Sequence, residues 1–264
     1  MAEENTELQG QPVATVRGAI ASIRNRLPWW AGPVTVTAVL TAFGIYVGIT
    51  VLFFAKGEYD NYLSPFYSPP VGDPSWLPAF LSPAILVLWL PLGFRATCYY
   101  YRKAYYRAFF WDPPGCASKA QQREPRSVEG YRGERNFFVW NNIHRYFMYG
   151  SFILLFFLTV DTVRAFFPGD EFGITLGSLI FLINVTLLWI YSLSCHSLRH
   201  IVGGRVDCYS CVTGGSSRLK AYNWLSVLNQ QHALWAWLSL FSLLITDVYI
   251  RLLLGGVIPD LRLL

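Results

Sequence analysis

Charge is scarce in this sequence: Asp, Glu, Lys and Arg together make up 14% of its 264 residues. A soluble domain normally carries about 25% charged residues, so the chain is too poor in charge for an ordinary water-facing surface. Phosphate-binding loops, dinucleotide-binding fingerprints and catalytic triads are also missing, and the glycine turns GGRVDC and TGGSS follow no strand. These absences argue against a soluble nucleotide-dependent or hydrolytic enzyme.

Long hydrophobic runs are what the chain does contain. Hydrophobic residues make up 53% of it, and the runs have about the length that an α-helix needs to cross a bilayer. We predict an all-α polytopic membrane protein, a bundle of five transmembrane helices after a cytoplasmic N-terminal tail at residues 1–30. The membrane domain is predicted at 31–264, with spans at about 31–55, 77–104, 143–167, 172–198 and 231–254.

Basic residues in the loops predict the orientation. With the N-terminus in the cytoplasm, seventeen of the 21 Lys and Arg residues fall on the inner side, and Lys56, Arg164, Arg251 and Arg262 remain outside. Cytoplasmic loops of membrane proteins carry such an excess of positive charge. The net charge of +5 therefore needs no nucleic-acid partner. The basic-aromatic run Tyr99–Arg107 forms an inner platform that suits anionic lipid headgroups or a soluble protein.

Histidine is rare, and every histidine falls at the cytoplasmic end of a predicted helix. The four are His144, His196, His200 and His232. Neutral imidazole can bind haem iron, and it can also hydrogen-bond to a quinone. His144 with His196, or His232 with either helix-four histidine, would supply the two ligands of a haem b. For any single histidine, snorkelling into water or capping a helix end is the simpler alternative.

Cysteines on the predicted cytoplasmic side offer a second kind of ligand. Cys195, Cys208 and Cys211 are close in sequence to His196 and His200, so zinc or a two-cysteine, two-histidine iron–sulfur site is chemically feasible. The Cys-x2-Cys spacing is common by chance, and the cytoplasm is reducing, so we expect free thiols rather than a disulfide. The residues alone leave a haem, an iron–sulfur cluster and no metal as alternatives.

Two acidic residues fall inside predicted spans. Asp161 has Arg164 three residues on, and Asp247 has Arg251 four residues on, so each acid has a basic neighbour on its own helix face. Ionisable groups within a span are candidates for function. We expect paired charges near the outer headgroups; the alternative is an ion path through a transporter or channel subunit.

Five strings, in chain order, resemble the membrane anchor subunit of actinobacterial-type succinate dehydrogenases and fumarate reductases. They are YLSPFYSPP, FRATCYYYRKAYYRAFFWDPPGCA, NNIHRYFMY, SCHSLRHIVGGR and LNQQHALWAWLSLFSLLITDVYI, and the resemblance spans about residues 57–264. It implies an anchor in the bacterial plasma membrane that docks a flavoprotein and an iron–sulfur subunit on its cytoplasmic face. It leaves room for a further small membrane subunit. Electrons from succinate then reach a quinone, either menaquinone or ubiquinone, at the anchor.

Together with the residue chemistry, the resemblance implies roles for individual side chains. The residues predicted to bind quinone are His196, His200, Arg199, Arg95, Tyr99 and Tyr101. The candidate ligands of one inner haem b or an iron–sulfur cluster are His144, His196, His200 and His232, with Cys195, Cys208 and Cys211 as further candidates. No histidine lies near the outer leaflet, so no outer haem is expected. The isolated chain is not expected to catalyse a reaction, and a stand-alone cytochrome b-type electron carrier is the alternative function.

Overall fold

Helices make up most of the chain in the part that the computed structural model describes, residues 27–28, 30–53, 57–70, 72, 76, 82–101, 104, 140–203 and 208–264. The elements are α1 (Ala31–Phe53), β1 (Glu58–Tyr59), β2 (Tyr62–Leu63), α2 (Ile85–Thr97), α3 (Trp140–Arg164), α4 (Leu176–Leu193), α5 (His196–Gly203), α6 (Gly215–Gln230) and α7 (His232–Leu254). Short 3₁₀ turns cover Pro168–Asp170 and Tyr209–Cys211. Most of the predicted tail and of the inner platform lies outside the described residues.

Four of these helices, α1, α3, α4 and α7, are long and apolar enough to cross a membrane. They correspond to four of the predicted spans, which confirms a multi-pass helical membrane protein. α2 is apolar but has 13 residues, and at about 1.5 Å per residue it is shorter than a bilayer core of about 30 Å. Residues 77–81, which would extend the second span, lie outside the described part of the chain. A membrane crossing by the predicted second span, 77–104, and the side of the N-terminus stay predictions.

The predicted fourth span is divided in the structure. α4 ends at Leu193, and after a two-residue break the separate helix α5 begins at His196. The Ser194 hydroxyl donates to the Tyr191 carbonyl at 2.8 Å, a side-chain bond that competes with the helical hydrogen bonds at the break. His196 and His200 therefore lie on a helix beyond the span, and do not close it as predicted. α6 was not predicted, because its many polar residues give it no span-like hydropathy.

α2 and α3 pack closely because each presents a glycine to a large side chain of the other. A Cβ atom on Gly93 would lie 2.2 Å from the Phe147 ring, and one on Gly150 would lie 2.7 Å from Leu90. Small residues let helix backbones approach each other in membranes, where van der Waals packing contributes much of the association energy. This packing brings the end of α2 beside the start of α3.

We expect Gly93→Ala to destabilise the protein by about 1–3 kcal/mol, because the added methyl group would overlap the Phe147 ring. Gly44→Ala on α1 is the matched control, since a Cβ atom there would meet no other atom within 4 Å. The thermal unfolding midpoint of the detergent-solubilised protein, followed by circular dichroism, measures both effects. Equal midpoints for the two variants would contradict the close packing of α2 on α3.

The bundle has two chemically different ends. At one end, α2 and α4 finish while α3 and α7 begin; we call it the histidine end, because His144 and His232 lie there. At the other, the hairpin end, β1 and β2 pair antiparallel with Tyr59 opposite Tyr62. Tyr62 is buried and packs on Phe181 of α4, with the ring centroids 5.4 Å apart. The hairpin is thereby fixed against the helices.

Asp247 of α7 lies in a buried polar cluster. It is fully buried and accepts hydrogen bonds from the hydroxyls of Tyr46 and Ser64. Arg251, one turn along α7, places its Nε atom 2.7 Å from the carboxylate. The predicted pairing of this acid with its basic neighbour is confirmed, and the cluster joins α1, the hairpin segment and α7.

Candidate functional site

His144 lies at the histidine end with both imidazole nitrogens in contact with other side chains. The residue is 5% exposed. Its Nδ1 lies 2.9 Å from the Thr97 hydroxyl, and its Nε2 lies 3.2 Å from the Cys195 thiol. Thr97 ends α2 and Cys195 lies in the break after α4, so this one histidine of α3 links three segments of the bundle.

His232, the first residue of α7, makes a matching set of contacts. Its Nδ1 lies 2.7 Å from the Ser194 hydroxyl, and its Nε2 lies 3.3 Å from the Cys98 thiol. The dipeptides Thr97–Cys98 and Ser194–Cys195 each consist of a hydroxyl residue followed by a cysteine. Each histidine therefore takes its hydroxyl from one dipeptide and its thiol from the other.

A row of aromatic rings connects the two histidines. The His144 ring stacks on Phe94 at 4.9 Å, and the His232 ring stacks on Tyr191 at 5.2 Å. Between them, the Phe94 and Tyr191 centroids are 5.5 Å apart. We call Phe94 and Tyr191 the ring row. We call His144, His232, Cys98 and Cys195 the donor set.

Arg95 lies beside the ring row and holds the end of α2 against α7. Its guanidinium carbon is 4.5 Å from the Tyr191 ring centroid, and the group donates to the hydroxyls of Tyr101 at 2.8 Å and Ser239 at 2.9 Å. The buried Tyr101 hydroxyl donates to a backbone carbonyl of α7. Arg95 and Tyr101, both predicted to bind quinone, thus lie in the interior next to the ring row, whereas Tyr99 is exposed.

The two histidines of α5 form a separate pair at the surface. Their Nε2 atoms are 3.0 Å apart, and both residues are exposed. Partial burial, together with the charges of His200 and Arg199, lowers the pKa of His196, so its imidazole is neutral near pH 7. Arg199 donates to the Tyr222 hydroxyl at 2.8 Å and so fastens α5 to α6.

Cys208 and Cys211 are bonded to each other, contrary to the expectation of free thiols. Their positions at one 3₁₀ turn bring the Cα atoms to 5.3 Å, within the usual range for a disulfide. Metals bind the thiolate form of cysteine. A disulfide contains no thiolate, so these two sulfurs are not metal ligands while they are bonded to each other. The thiol that accompanies Cys195 is instead Cys98, which sequence reasoning did not choose. The sequence feature that could have pointed to Cys98 is its position near the end of a predicted span, at the same depth as the histidines.

A cavity of about 950 Å³ lies at the histidine end, and all four members of the donor set line it. On its other side the cavity meets polar and basic residues of α3, α5 and α6. These include Arg145, His196, His200, Arg218 and Asn229. The α5 pair and the donor set therefore face one cavity, although they form two distinct groups.

The donor set provides two imidazoles and two thiols as candidate ligands. Within the described part of the chain, no three His, Cys, Asp or Glu side chains form a site for one metal ion. In the donor set each Nε2 faces a thiol, so the four side chains form two His–Cys pairs. Two imidazoles and two thiols are the ligand types of a [2Fe–2S] centre with mixed ligation.

Comparison with known proteins gives a family and a structural relative. Residues 31–256 match the family described as actinobacterial succinate dehydrogenase subunit SdhC. The structure is similar to a chain of the Mycobacterium smegmatis Sdh1 complex in the apo form, with a TM-score of 0.75 and 37% sequence identity. That match covers 90% of this chain and 93% of the other. No curated protein matches the sequence.

Proposed function

The chain belongs to the actinobacterial succinate dehydrogenase subunit SdhC family, and from this membership we propose that it anchors a succinate:quinone oxidoreductase and helps to form its quinone-reduction site. It is a multi-pass plasma-membrane subunit of a succinate dehydrogenase. In our proposal, a flavoprotein and an iron–sulfur subunit dock on its cytoplasmic face, and electrons from succinate pass through them to the anchor. The observation that carries this proposal is the donor set, in which Cys98, His144 and Cys195 are buried and whose ligand types are those of an electron carrier.

In this proposal the donor set holds an iron–sulfur cluster. Such a cluster, when bound, carries one electron at a time between the soluble subunits and quinone. The hydroxyls of Thr97 and Ser194 engage the Nδ1 atoms of the two histidines, which leaves each Nε2 directed at the site. Outer hydrogen bonds of this kind fix the orientation of metal-binding imidazoles. Arg95, close to the Tyr191 ring, adds a fixed positive charge that favours the arrival of an electron.

The charge distribution supports a cytoplasmic histidine end. The loops that follow α2 and α4 belong to the inner side, on which seventeen of the 21 basic residues fall in the predicted topology. α6 lies at this end, since Asn229 donates to the Ser194 carbonyl at 2.7 Å. It exposes the apolar side chains of Trp224 and Val227. Exposed apolar residues outside the spans are typical of a protein interface, so we assign α6 to the docking of the soluble subunits.

Purification of the complex through a tag on this chain tests the proposal. We expect the flavoprotein and iron–sulfur subunits to co-purify, and succinate to reduce a short-chain quinone. Trp224→Ala is expected to lower recovery of the soluble subunits by about tenfold, as for the loss of an aromatic interface anchor. Trp76→Ala is the control, because Trp76 is also exposed but lies in the segment between the hairpin and α2.

Two outcomes would contradict the proposal. A chain that purifies alone and supports ion flux in vesicles would favour a transporter or channel subunit. A haem b spectrum in a preparation without soluble partners would favour a stand-alone cytochrome b-type carrier.

A further inference from the structure

The disulfide between Cys208 and Cys211 lies on the side of the molecule where a lasting disulfide is not expected. In the proposed orientation the histidine end faces the cytoplasm, and the helices on either side of this bond, α5 and α6, lie at that end. The cytoplasm is reducing, and disulfides in its proteins are usually transient, with a catalytic or redox-sensing role. We therefore looked for a role other than permanent reinforcement of the fold.

Both sulfurs lie where a soluble reductant can reach them. Cys211 is exposed and Cys208 is half-buried, at a short 3₁₀ turn between the two helices. Exposed disulfides are in general the easily reduced ones, and buried structural disulfides resist reduction. The other two cysteines of the described part of the chain, Cys98 and Cys195, are buried. Cys208 and Cys211 are therefore the accessible pair in that part of the chain.

Tyr209, between the two cysteines, connects the turn to both neighbouring helices. Its hydroxyl donates to the carbonyl of Gly203, the last residue of α5, at 3.0 Å. Its own carbonyl oxygen lies so close to Gly215, the first residue of α6, that a Cβ atom there would be 1.7 Å away. Its ring centroid is 6.5 Å from that of Tyr222 on α6. The turn is thus packed between the end of α5 and the start of α6.

Tyr222 carries the same connection along α6 to the docking surface. Its ring packs on Gly203, where a Cβ atom would lie 2.1 Å from it, and its hydroxyl accepts a hydrogen bond from Arg199 of α5. Trp224 and Val227, the exposed residues assigned to the docking of the soluble subunits, follow on the same helix. A change in the turn therefore alters how α5 holds the helix that carries the docking surface.

We propose that Cys208 and Cys211 form a reversible thiol–disulfide exchange site for a dithiol protein of the thioredoxin type, and that its redox state controls how firmly α6 holds the soluble subunits; this inference rests on the proposed function. The disulfide restricts the turn and keeps Tyr209 between the two helices. Reduction leaves two separate thiols, so the turn gains conformational freedom and the docking surface loses its fixed position.

The exchange balances in atoms and electrons. A thiolate of the reductant attacks the exposed Cys211 sulfur, which forms a mixed disulfide and breaks the bond to Cys208. The Cys208 thiolate leaves and takes up a proton. The second thiol of the reductant loses its proton and attacks the mixed disulfide, which releases Cys211 as a thiolate that is protonated in turn. Two electrons and two protons have then passed from the dithiol to the anchor, and the reductant has become a disulfide.

Ser210 is a positioning residue for this step. Its hydroxyl lies 3.3 Å from the Cys208 sulfur, close enough to donate a hydrogen bond to the departing thiolate. Such a bond favours the charged form of the sulfur. Ser210→Ala is expected to slow reduction by thioredoxin about fivefold, the effect of one hydrogen bond, and to leave assembly of the complex unchanged. An unchanged rate would remove Ser210 from the exchange step.

Reduced thioredoxin added to the intact complex, followed by alkylation with a maleimide, tests the exchange site. We expect the peptide that contains Cys208 and Cys211 to carry two labels after reduction and none before it, as measured by mass spectrometry. In a wash at moderate salt, the reduced complex is expected to release its soluble subunits about fivefold more readily than the oxidised complex. This factor is at the lower end of the usual coupling between two sites.

The double variant Cys208→Ser, Cys211→Ser provides a second measurement. It lacks the bond permanently, so its soluble subunits are expected to be released as from the reduced wild type, with or without thioredoxin. Iron per assembled complex is expected to stay unchanged, because neither cysteine lines the cavity beside the donor set.

Two results would overturn the inference and leave the proposed function intact. A disulfide that thioredoxin does not reduce would be a permanent reinforcement of the turn. Equal release of the soluble subunits in both redox states would show that the turn does not control docking. Failure to recover any soluble subunit with the oxidised wild-type chain would instead contradict the proposed function.

Discussion

Replacement of Cys98 or Cys195 by serine is expected to remove the iron–sulfur signal of the donor set and at least about 100-fold of the quinone-reductase activity. Serine is nearly the same size as cysteine, but its hydroxyl does not ionise near neutral pH as a metal-bound thiol does. Succinate-driven reduction of a water-soluble dye, which needs the soluble subunits alone, is expected to stay unchanged. The measurements are iron and sulfide per complex, and the electron paramagnetic resonance spectrum of the reduced protein.

His144→Ala and His232→Ala are expected to give the same result, since each removes an imidazole nitrogen from the donor set. Cys208→Ser and His196→Ala are the matched controls. Cys208 is paired in a disulfide, and His196 belongs to the exposed α5 pair, so both variants are expected to keep their iron.

The opposite pattern would be equally informative. Loss of iron in Cys208→Ser, with iron retained in Cys98→Ser, would place the ligands in the Cys195–Cys211 segment predicted from the sequence. A haem b band in the reduced-minus-oxidised spectrum that disappears in His196→Ala would show a haem at α5. Either result would contradict the assignment of the donor set.

Asp247→Ala is expected to cause the largest loss of stability, about 3–5 kcal/mol, because it leaves the Arg251 charge without its buried partner. Asp247 is fully buried, and the Arg251 side chain is 20% exposed, so water compensates little of the loss. The hydroxyls of Tyr46 and Ser64 lose their acceptor in the same change. The thermal unfolding midpoint and the yield of assembled complex from membranes measure the effect.

Asp161→Ala is the comparison, because Asp161 also lies in a span but has a weaker ionic partner. Its Arg164 neighbour is 67% exposed and 3.8 Å away, and exposed pairs contribute about 0–1 kcal/mol. The hydroxyl of Ser68 also loses its acceptor, which adds about 1 kcal/mol. If both variants lose the same free energy of unfolding, the Asp247–Arg251 pair contributes no more stability than a surface ion pair.

The placement of two histidines at one end of the bundle could be predicted from the sequence. His144 and His232 each begin a long apolar helix, and loop charge assigned both helix starts to the same side. Hydropathy and the positive-inside rule each combine the contributions of many residues. In this chain both the mean hydropathy of the spans and the excess of basic residues on the inner side are large. They locate spans to within a few residues, as the close match of α1 and α7 to the predictions at 31–55 and 231–254 illustrates.

The composition of the donor set could not be predicted in the same way. The break after Leu193 spans two residues and contains neither glycine nor proline, so no average over a span can detect it. Without the break, His196 would belong to the same helix as Cys195. The selection of Cys98 depends on which faces of α2 and α7 meet, and that is decided by tertiary contacts such as those of Arg95.

The crossed contacts of the donor set have a consequence for biosynthesis. Cys98, His144 and Cys195 are synthesised first, and the contact between His144 and Cys195 can form as soon as α3 and the residues after α4 are in the membrane. His232 begins the last described helix, so the ribosome has made most of the protein before the fourth member of the donor set exists. If the donor set holds the proposed cluster, iron and sulfide would have to be delivered to a nearly complete, inserted chain, and a nascent chain halted before α7 would lack one ligand.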